Sequence, residues 1–176
     1  MAKTTTAPTT STAGTVTTET GIQLVDVTQM TPEKAAVALI GRAVSMTASD
    51  LFLSSNEQHI AANVRYLGIV RPLSILPLDL GRRLMSHIKA MSGMDLTEKR
   101  RPADGRWIFK AEGEDEDEVT TDLRINIIPT IYGEDFAIRI LSRNTRLFAL
   151  ENLGMMPHQL QQYHAMVASP SGLILI

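Results

Sequence analysis

The sequence predicts an α/β chain of the α+β type, in which antiparallel strands pack against flanking helices. Polar and apolar residues alternate on both sides of a turn within the segment 121–143, which is typical of a β-hairpin. Two other segments begin with a proline, Pro32 and Pro77, of the kind found in the first turn of a helix. In both, apolar residues then recur at helical spacing. A chain of 176 residues is long enough to bury a core between such layers.

The first predicted element is a helix that ends near Met46. Thr31 is suited to the N-cap and Pro32 to the first helical position, and apolar residues then recur at helical spacing. The preceding segment 1–21 is rich in threonine and poor in core residues, so it predicts a disordered tail. Ordered structure is expected from about Ile22.

Short strands and a second helix follow. Residues 48–54 and 59–67 are predicted strands, and residues 69–75 are a third that Pro72 is expected to break. The second helix opens at Pro77 and ends at Gly93. Its apolar stripe consists of Leu80, Leu84, Ile88 and Met91.

The second half of the chain adds strands and one more helix. Residues 106–112 and 119–128 are predicted strands, and the acidic run between them is interpreted as a solvated turn, since it lacks calcium-loop spacing. Residues 151–168 are a predicted amphipathic helical segment. The last stretch, 170–176, is a predicted apolar strand that stops without turn or cap, which indicates a truncated chain.

Composition restricts the class of function. The net charge of −2 and the pI near 6.1 argue against a nucleic-acid interface, which needs a basic surface. The chain has no cysteine and its histidines are scattered singly, so no metal site is predicted. No apolar run approaches the roughly 20 residues that span a bilayer, so membrane insertion is not expected.

The hairpin contains the main candidate site. Pairing its two runs about a midpoint between Ile131 and Tyr132 places Arg124 directly opposite Arg139. Like charges at opposed positions repel by a few tenths to about 1 kcal/mol, a cost that an anion lying between them would offset. The planar fork of arginine suits phosphate oxygens.

An ordinary surface arrangement is the alternative for these arginines. Asp122, Glu134 and Asp135 are near enough in sequence to neutralise either arginine as surface ion pairs, which contribute little to stability. The pattern by itself leaves both interpretations open.

Five segments occur in an order and spacing known from one family. They are ASDL (48–51), MSGMDLTEKR with PADGR (91–106), DLRINIIPT with GE and IR (122–139), LGM (153–155) and PSGLIL (170–175). Together they resemble the hexameric secretion ATPases that drive type II secretion and type IV pilus assembly, over about residues 31–176.

The resemblance implies a domain layout. Residues 22–147 correspond to the second N-terminal domain of that family, a PAS-like antiparallel sheet with flanking helices. Residues 148–176 correspond to a linker and the first helix and strand of a RecA-like motor domain. The P-loop that cradles phosphates follows in relatives, but no such motif occurs in this sequence, so the chain alone is expected to be inactive.

The resemblance also implies residue roles. Relatives use the arginines at the two hairpin positions as fingers that reach the γ-phosphate of ATP, which makes Arg124 and Arg139 the candidate catalytic residues. Arg106 matches the arginine of the family's PQDGR motif and is a candidate for cofactor contact; its alternative is a structural ion pair with Asp104 or another acid. ATP and Mg are expected to be bound mainly by the missing motor domain.

The implied partners are the chain's own motor domain, neighbouring subunits of a homo-hexamer and the inner-membrane secretion or pilus platform, with a cytoplasmic location at that membrane.

Departures from the family leave an alternative. Phe52 stands where relatives commonly have histidine, and the strand from Arg65 lacks a second arginine and an aspartate. A stand-alone or catalytically dead PAS-like sensor or interaction module is therefore the competing interpretation.

Overall fold

The computed structural model describes residues 24–110, 120–142 and 150–175. The predicted disordered tail, the acidic turn and the domain boundary at residue 147 lie outside the described residues. The chain divides after Ser142 into two compact units, each described by itself.

The described residues of the first unit form two helices and six strands, in agreement with the predicted α+β class. In chain order they are α1 (Pro32–Ser45), β1 (Asp50–Ser55), β2 (His59–Tyr66), β3 (Ile69–Pro77), α2 (Leu78–Met91), β4 (Ala103–Lys110), β5 (Thr120–Thr130) and β6 (Gly133–Ser142). The strands form one sheet in the order β3-β2-β1-β6-β5-β4. Every neighbouring pair is antiparallel.

Helix α1 starts where the sequence predicts. The Oγ1 of Thr31 accepts the backbone N–H of Lys34 at 3.4 Å, and Pro32 occupies the first turn, where its missing N–H costs nothing. The helix buries one apolar side, which includes Leu39 and Ile40. Helices α1 and α2 contact each other and the strands β1 to β3, so one face of the sheet is covered by helices.

The core lies between that face and the two helices. Alternate residues of the strands point into it, as the period of 2 predicts, except at the irregularity of β3, where Leu73 and Ser74 are both buried. The largest fully buried side chains are Phe136, Leu39, Ile40, Leu51, Leu53, Ile60, Leu73, Leu76, Leu84, Ile88, Leu123 and Ile125. The opposite face of the sheet carries the alternate, mostly polar residues and holds the candidate site.

Two expectations for this unit are wrong. Pro72 does not break β3: the strand runs through it, and the register shifts between Ala62 and Asn63, which pair with Ser74 and Pro72. A proline is tolerated there because β3 is an edge strand and the irregularity removes the need for its N–H. Met91 is 47% exposed at the end of α2 and does not extend the buried stripe.

The second unit is helical in its described part. A 3₁₀ turn (Leu150–Leu153) precedes α3 (Pro157–Val167), and Gly154 at φ +76° separates them. The predicted helical segment is therefore interrupted by a left-handed residue, which a glycine adopts without strain. The predicted apolar strand is wrong, because the described residues 171–175 form neither helix nor strand.

Candidate anion site on the open face of the sheet

Five charged residues form a row across five successive strands. Arg106 pairs in register with Arg124, Arg124 with Arg139, Arg139 with Asp50, and Asp50 with Arg65. Because paired residues of neighbouring strands share a face, all five side chains stand on the open side of the sheet. The row thus contains four arginines and one aspartate.

The alternation of apolar and polar residues along β5 and β6 fixes the face of the sheet on which the arginines lie. Leu123 and Ile125, which flank Arg124, are fully buried. Ile138 and Ile140, which flank Arg139, are also buried, with Ile140 8% exposed. A shift of one residue would exchange the arginines for these apolar side chains, so burial of the core sets the register. The prediction that the two arginines face each other is confirmed, with the turn centred as expected between Thr130 and Gly133.

The two opposed arginines differ in their contacts. Arg124 is exposed and has neither an ion pair nor a side-chain hydrogen bond within the described residues. Arg139 places its Nε 3.5 Å from the Oδ1 of Asp50, and its side chain is 67% exposed. Such a distance is at the outer limit of a hydrogen bond. Neither guanidinium is therefore locked into the fold.

Asp50 is the acidic member of the row. Its Oδ2 accepts the Oγ–H of Ser49 at 2.8 Å and the Nε–H of Arg65 at 3.2 Å. Its side chain is only 15% exposed, whereas those of its arginine partners are much more open. The carboxylate is therefore a fixed negative charge between two cations.

Arg106 is held differently. Its Nε and a terminal nitrogen donate to the two carboxylate oxygens of Asp122 at 2.8 and 2.6 Å. This double hydrogen bond, together with the charge of Asp122, raises the pKa of the Arg106 guanidinium above its usual value. The structural alternative for Arg106 is thus observed, with Asp122 as the acid in place of Asp104.

The row borders a groove on the open face with a volume of about 770 Å³. Its lining consists of Ser49, Asp50, Phe52, Arg65, Arg124, Asn126, Ala137 and Arg139. The guanidinium of Arg65 lies 5.4 Å from the centre of the Phe52 ring, which is a cation–π arrangement. The groove offers three cations to an anion from one side.

The groove fits phosphate oxygens, and it does not supply a complete nucleotide site. Its guanidinium groups match the geometry and charge of phosphate. Within the described ranges, no three histidine, aspartate or glutamate side chains come together to hold a metal ion.

Sequence reasoning missed Asp50, Arg65 and Lys89 as parts of the site and its support. The first two join the row only through pairing of β1 with β6, which brings together residues 89 positions apart in the chain. Lys89 could have been found from the sequence, because it lies on the same side of α2 as the apolar stripe. A buried lysine needs an acidic or carbonyl partner. Its Nζ donates to Glu134 at 2.8 Å and to the carbonyl of Glu98 at 2.7 Å.

An antiparallel sheet with helices on one face and an arginine row on the other defines an α+β domain with a candidate anion site on one side. The chain belongs to the family described as type II/IV secretion system protein, whose model matches residues 28–176. The recognition made from the sequence motifs is confirmed.

Individual relatives agree with this family. The chain is 36% identical over 134 residues to the type IV pilus assembly ATPase PilB of Acinetobacter baylyi, covering 76% of the chain and 22% of that protein. It is 32% identical over 139 residues to the type II secretion system protein E of Klebsiella pneumoniae, covering 79% of the chain and 27% of that protein. The chain thus spans about a quarter of the length of such relatives.

A solved structure supports the fold. The ATPase DotB of Yersinia pseudotuberculosis superposes with a TM-score of 0.52 at 17% identity, over 79% of this chain and 37% of that one. No helix among the described residues is long and apolar enough to cross a membrane.

Proposed function

We propose that the chain is the N-terminal arginine-finger domain of a hexameric ATPase that powers type II protein secretion or type IV pilus assembly. The observation that carries the proposal is Arg124, which is exposed, without an ion pair in the described ranges, and directly opposite Arg139. Two guanidinium groups side by side, of which Arg139 has one carboxylate contact at 3.5 Å, repel each other unless an anion binds them. The transition state of phosphoryl transfer is such an anion.

In this proposal Arg124 and Arg139 reach the γ-phosphate of ATP when the domain closes onto a RecA-like motor, whose beginning is residues 148–176. The arginines stabilise charge that develops on the phosphoryl oxygens, and their positions are fixed in advance by the strand register. ATP and Mg are held mainly by the motor. Arg106 stands beside the pair in the row, while its Nε and one terminal nitrogen donate to Asp122.

The proposed partners are the motor domain, neighbouring subunits of a homo-hexamer and the membrane platform of the secretion or pilus machine. A cytoplasmic position at the inner membrane follows from that assignment. The PAS-like domain by itself is not expected to hydrolyse ATP, since the phosphate cradle and the metal site belong to the motor. Reading the coding sequence beyond Ile176 tests this layout, which requires a P-loop in frame.

The arginine roles are tested by turnover in the gene product that includes the P-loop. We expect Arg124→Ala and Arg139→Ala each to lower ATPase turnover by at least about 100-fold, in line with arginine fingers elsewhere. Arg83→Ala is the matched control, because Arg83 is an exposed arginine of α2 in a local ion pair with Asp79. Turnover of both finger variants at the control level, with folding intact, would refute the assignment.

A further inference from the structure

Asp50 is the carboxylate next to the proposed anion position, on the other side of Arg139 from Arg124. It pairs in register with Arg139 on one side and Arg65 on the other, and its carboxylate contacts both guanidinium groups. It lines the same groove as Arg124. The domain therefore carries an internal carboxylate at its own anion site.

The two arginines that contact Asp50 are held to different degrees. The Arg65 contact is 3.2 Å and is reinforced by the Phe52 ring, whereas the Arg139 contact is a single one at 3.5 Å on a more exposed side chain. When Arg139 leaves, Asp50 keeps the hydroxyl of Ser49 and the guanidinium of Arg65. Departure of Arg139 thus does not leave a carboxylate without partners, which would be costly.

We infer that Asp50 is an internal competitor that holds Arg139 until a polyvalent phosphate displaces it. This inference rests on the proposed function, because both require an anion at Arg124 and Arg139. Arg124 is available at all times, while Arg139 is released only to an anion with more charge and more acceptor oxygens than a carboxylate. Asp50 accordingly sets the selectivity of the groove for a phosphate chain over singly charged anions.

The test uses the 176-residue chain and inorganic tripolyphosphate at low ionic strength, with binding measured by calorimetry. We expect Asp50→Asn to strengthen binding by about three- to tenfold, the scale of removing one nearby charge at a partly screened site. Asp79→Asn is the matched control: it also removes one carboxylate from an arginine, Arg83, but on α2. We expect it to change binding by less than about twofold.

The gain must also depend on Arg139. In the double variant of Asp50→Asn with Arg139→Ala, the gain over Arg139→Ala alone should be clearly smaller, since only the direct repulsion between Asp50 and the anion is then removed. Asp50→Ser provides a second neutral variant of smaller volume, so the result does not depend on one folded variant. Added chloride or acetate should compete better against tripolyphosphate binding in Asp50→Asn than in the wild type. Without Asp50 the groove is expected to select less strongly against singly charged anions.

Opposite outcomes identify which idea fails. If folded Asp50→Asn or Asp50→Ser binds tripolyphosphate no more tightly than the wild type, or if Asp79→Asn gains as much, Asp50 is not a competitor. If Arg124→Ala and Arg139→Ala leave wild-type binding unchanged, the anion site and the proposed function fail together. Weaker binding in those arginine variants without a gain at Asp50 overturns only the competitor.

Discussion

On the helix-covered face of the sheet, Lys89 donates to Glu134 at 2.8 Å and to the carbonyl of Glu98, and the two paired side chains are 3% and 13% exposed. On the open face, Arg124 has no ion pair within the described ranges and stands opposite another arginine. The covered face of the sheet thus has a buried ion pair between Lys89 of α2 and Glu134 of β6, whereas the open face has an arginine without an ion pair within the described ranges.

The difference separates charges that hold the fold from charges available to a ligand. Removing one partner of a buried pair leaves the other charge in a poor environment, at a cost of about 3–5 kcal/mol. Removing an exposed cation that faces a like charge costs little, and it relieves repulsion. A side chain that is retained at a cost in stability is a candidate for binding or catalysis.

The largest expected effect is at the buried pair. Lys89→Met leaves the Glu134 carboxylate without its cation, so we expect the free energy of unfolding to fall by about 3–5 kcal/mol. Urea unfolding at neutral pH measures this change.

The double variant of Lys89→Met with Glu134→Leu is the control. Replacing both charges by apolar side chains removes the uncompensated carboxylate, so much of the lost stability should return. A loss below about 1 kcal/mol in Lys89→Met would show that the covered face does not depend on this pair, and the contrast between the faces would disappear.

The next effect concerns how closely α2 packs on the covered face. A Cβ added at Gly81 would lie 2.6 Å from the Cδ1 and 3.0 Å from the Cβ of Ile60 on β2, whereas one at Gly41 in α1 meets nothing within 4 Å. We expect Gly81→Ala to lower the free energy of unfolding by about 1–3 kcal/mol through overpacking. Gly41→Ala should raise it by about 0.5–1 kcal/mol, the gain in helix propensity.

Thermal and urea unfolding measure the two variants under the same conditions. Since both glycines lie within helices, the difference between the two free energies of unfolding does not contain the gain in helix propensity. An equal rise in stability for both would mean that α2 can move away from the sheet without cost. The covered face would then be less tightly packed than its buried side chains indicate.

The sequence was sufficient for the local parts of the open face. Alternation and a short turn place Arg124 opposite Arg139, because a hairpin register is set by neighbours along the chain. It was insufficient for Asp50 and Arg65, which reach the row only by pairing of β1 with the distant β6. The pairing of distant strands depends on the whole sheet, and a local pattern does not contain it.

The errors have the same physical origin. Pro72 is acceptable because the strand that contains it lies at the edge of the sheet, a fact of topology. The apolar residues 173–175 have strand composition, yet in the described part of the chain they have no neighbouring strand to pair with. In each case the local preference was recognised, and the tertiary surroundings decided the outcome.

The smallest expected effect is at Arg124. We expect Arg124→Ala to change the free energy of unfolding by less than about 0.5 kcal/mol, with a rise at low salt because the repulsion from Arg139 is removed. At about 1 M salt, where the Debye length is about 3 Å, the rise should vanish. Arg139→Ala is the matched control and should show no such rise, since it also gives up the contact with Asp50. A loss above about 1 kcal/mol in Arg124→Ala would make Arg124 a structural residue like Lys89, and the open face would no longer differ from the covered one.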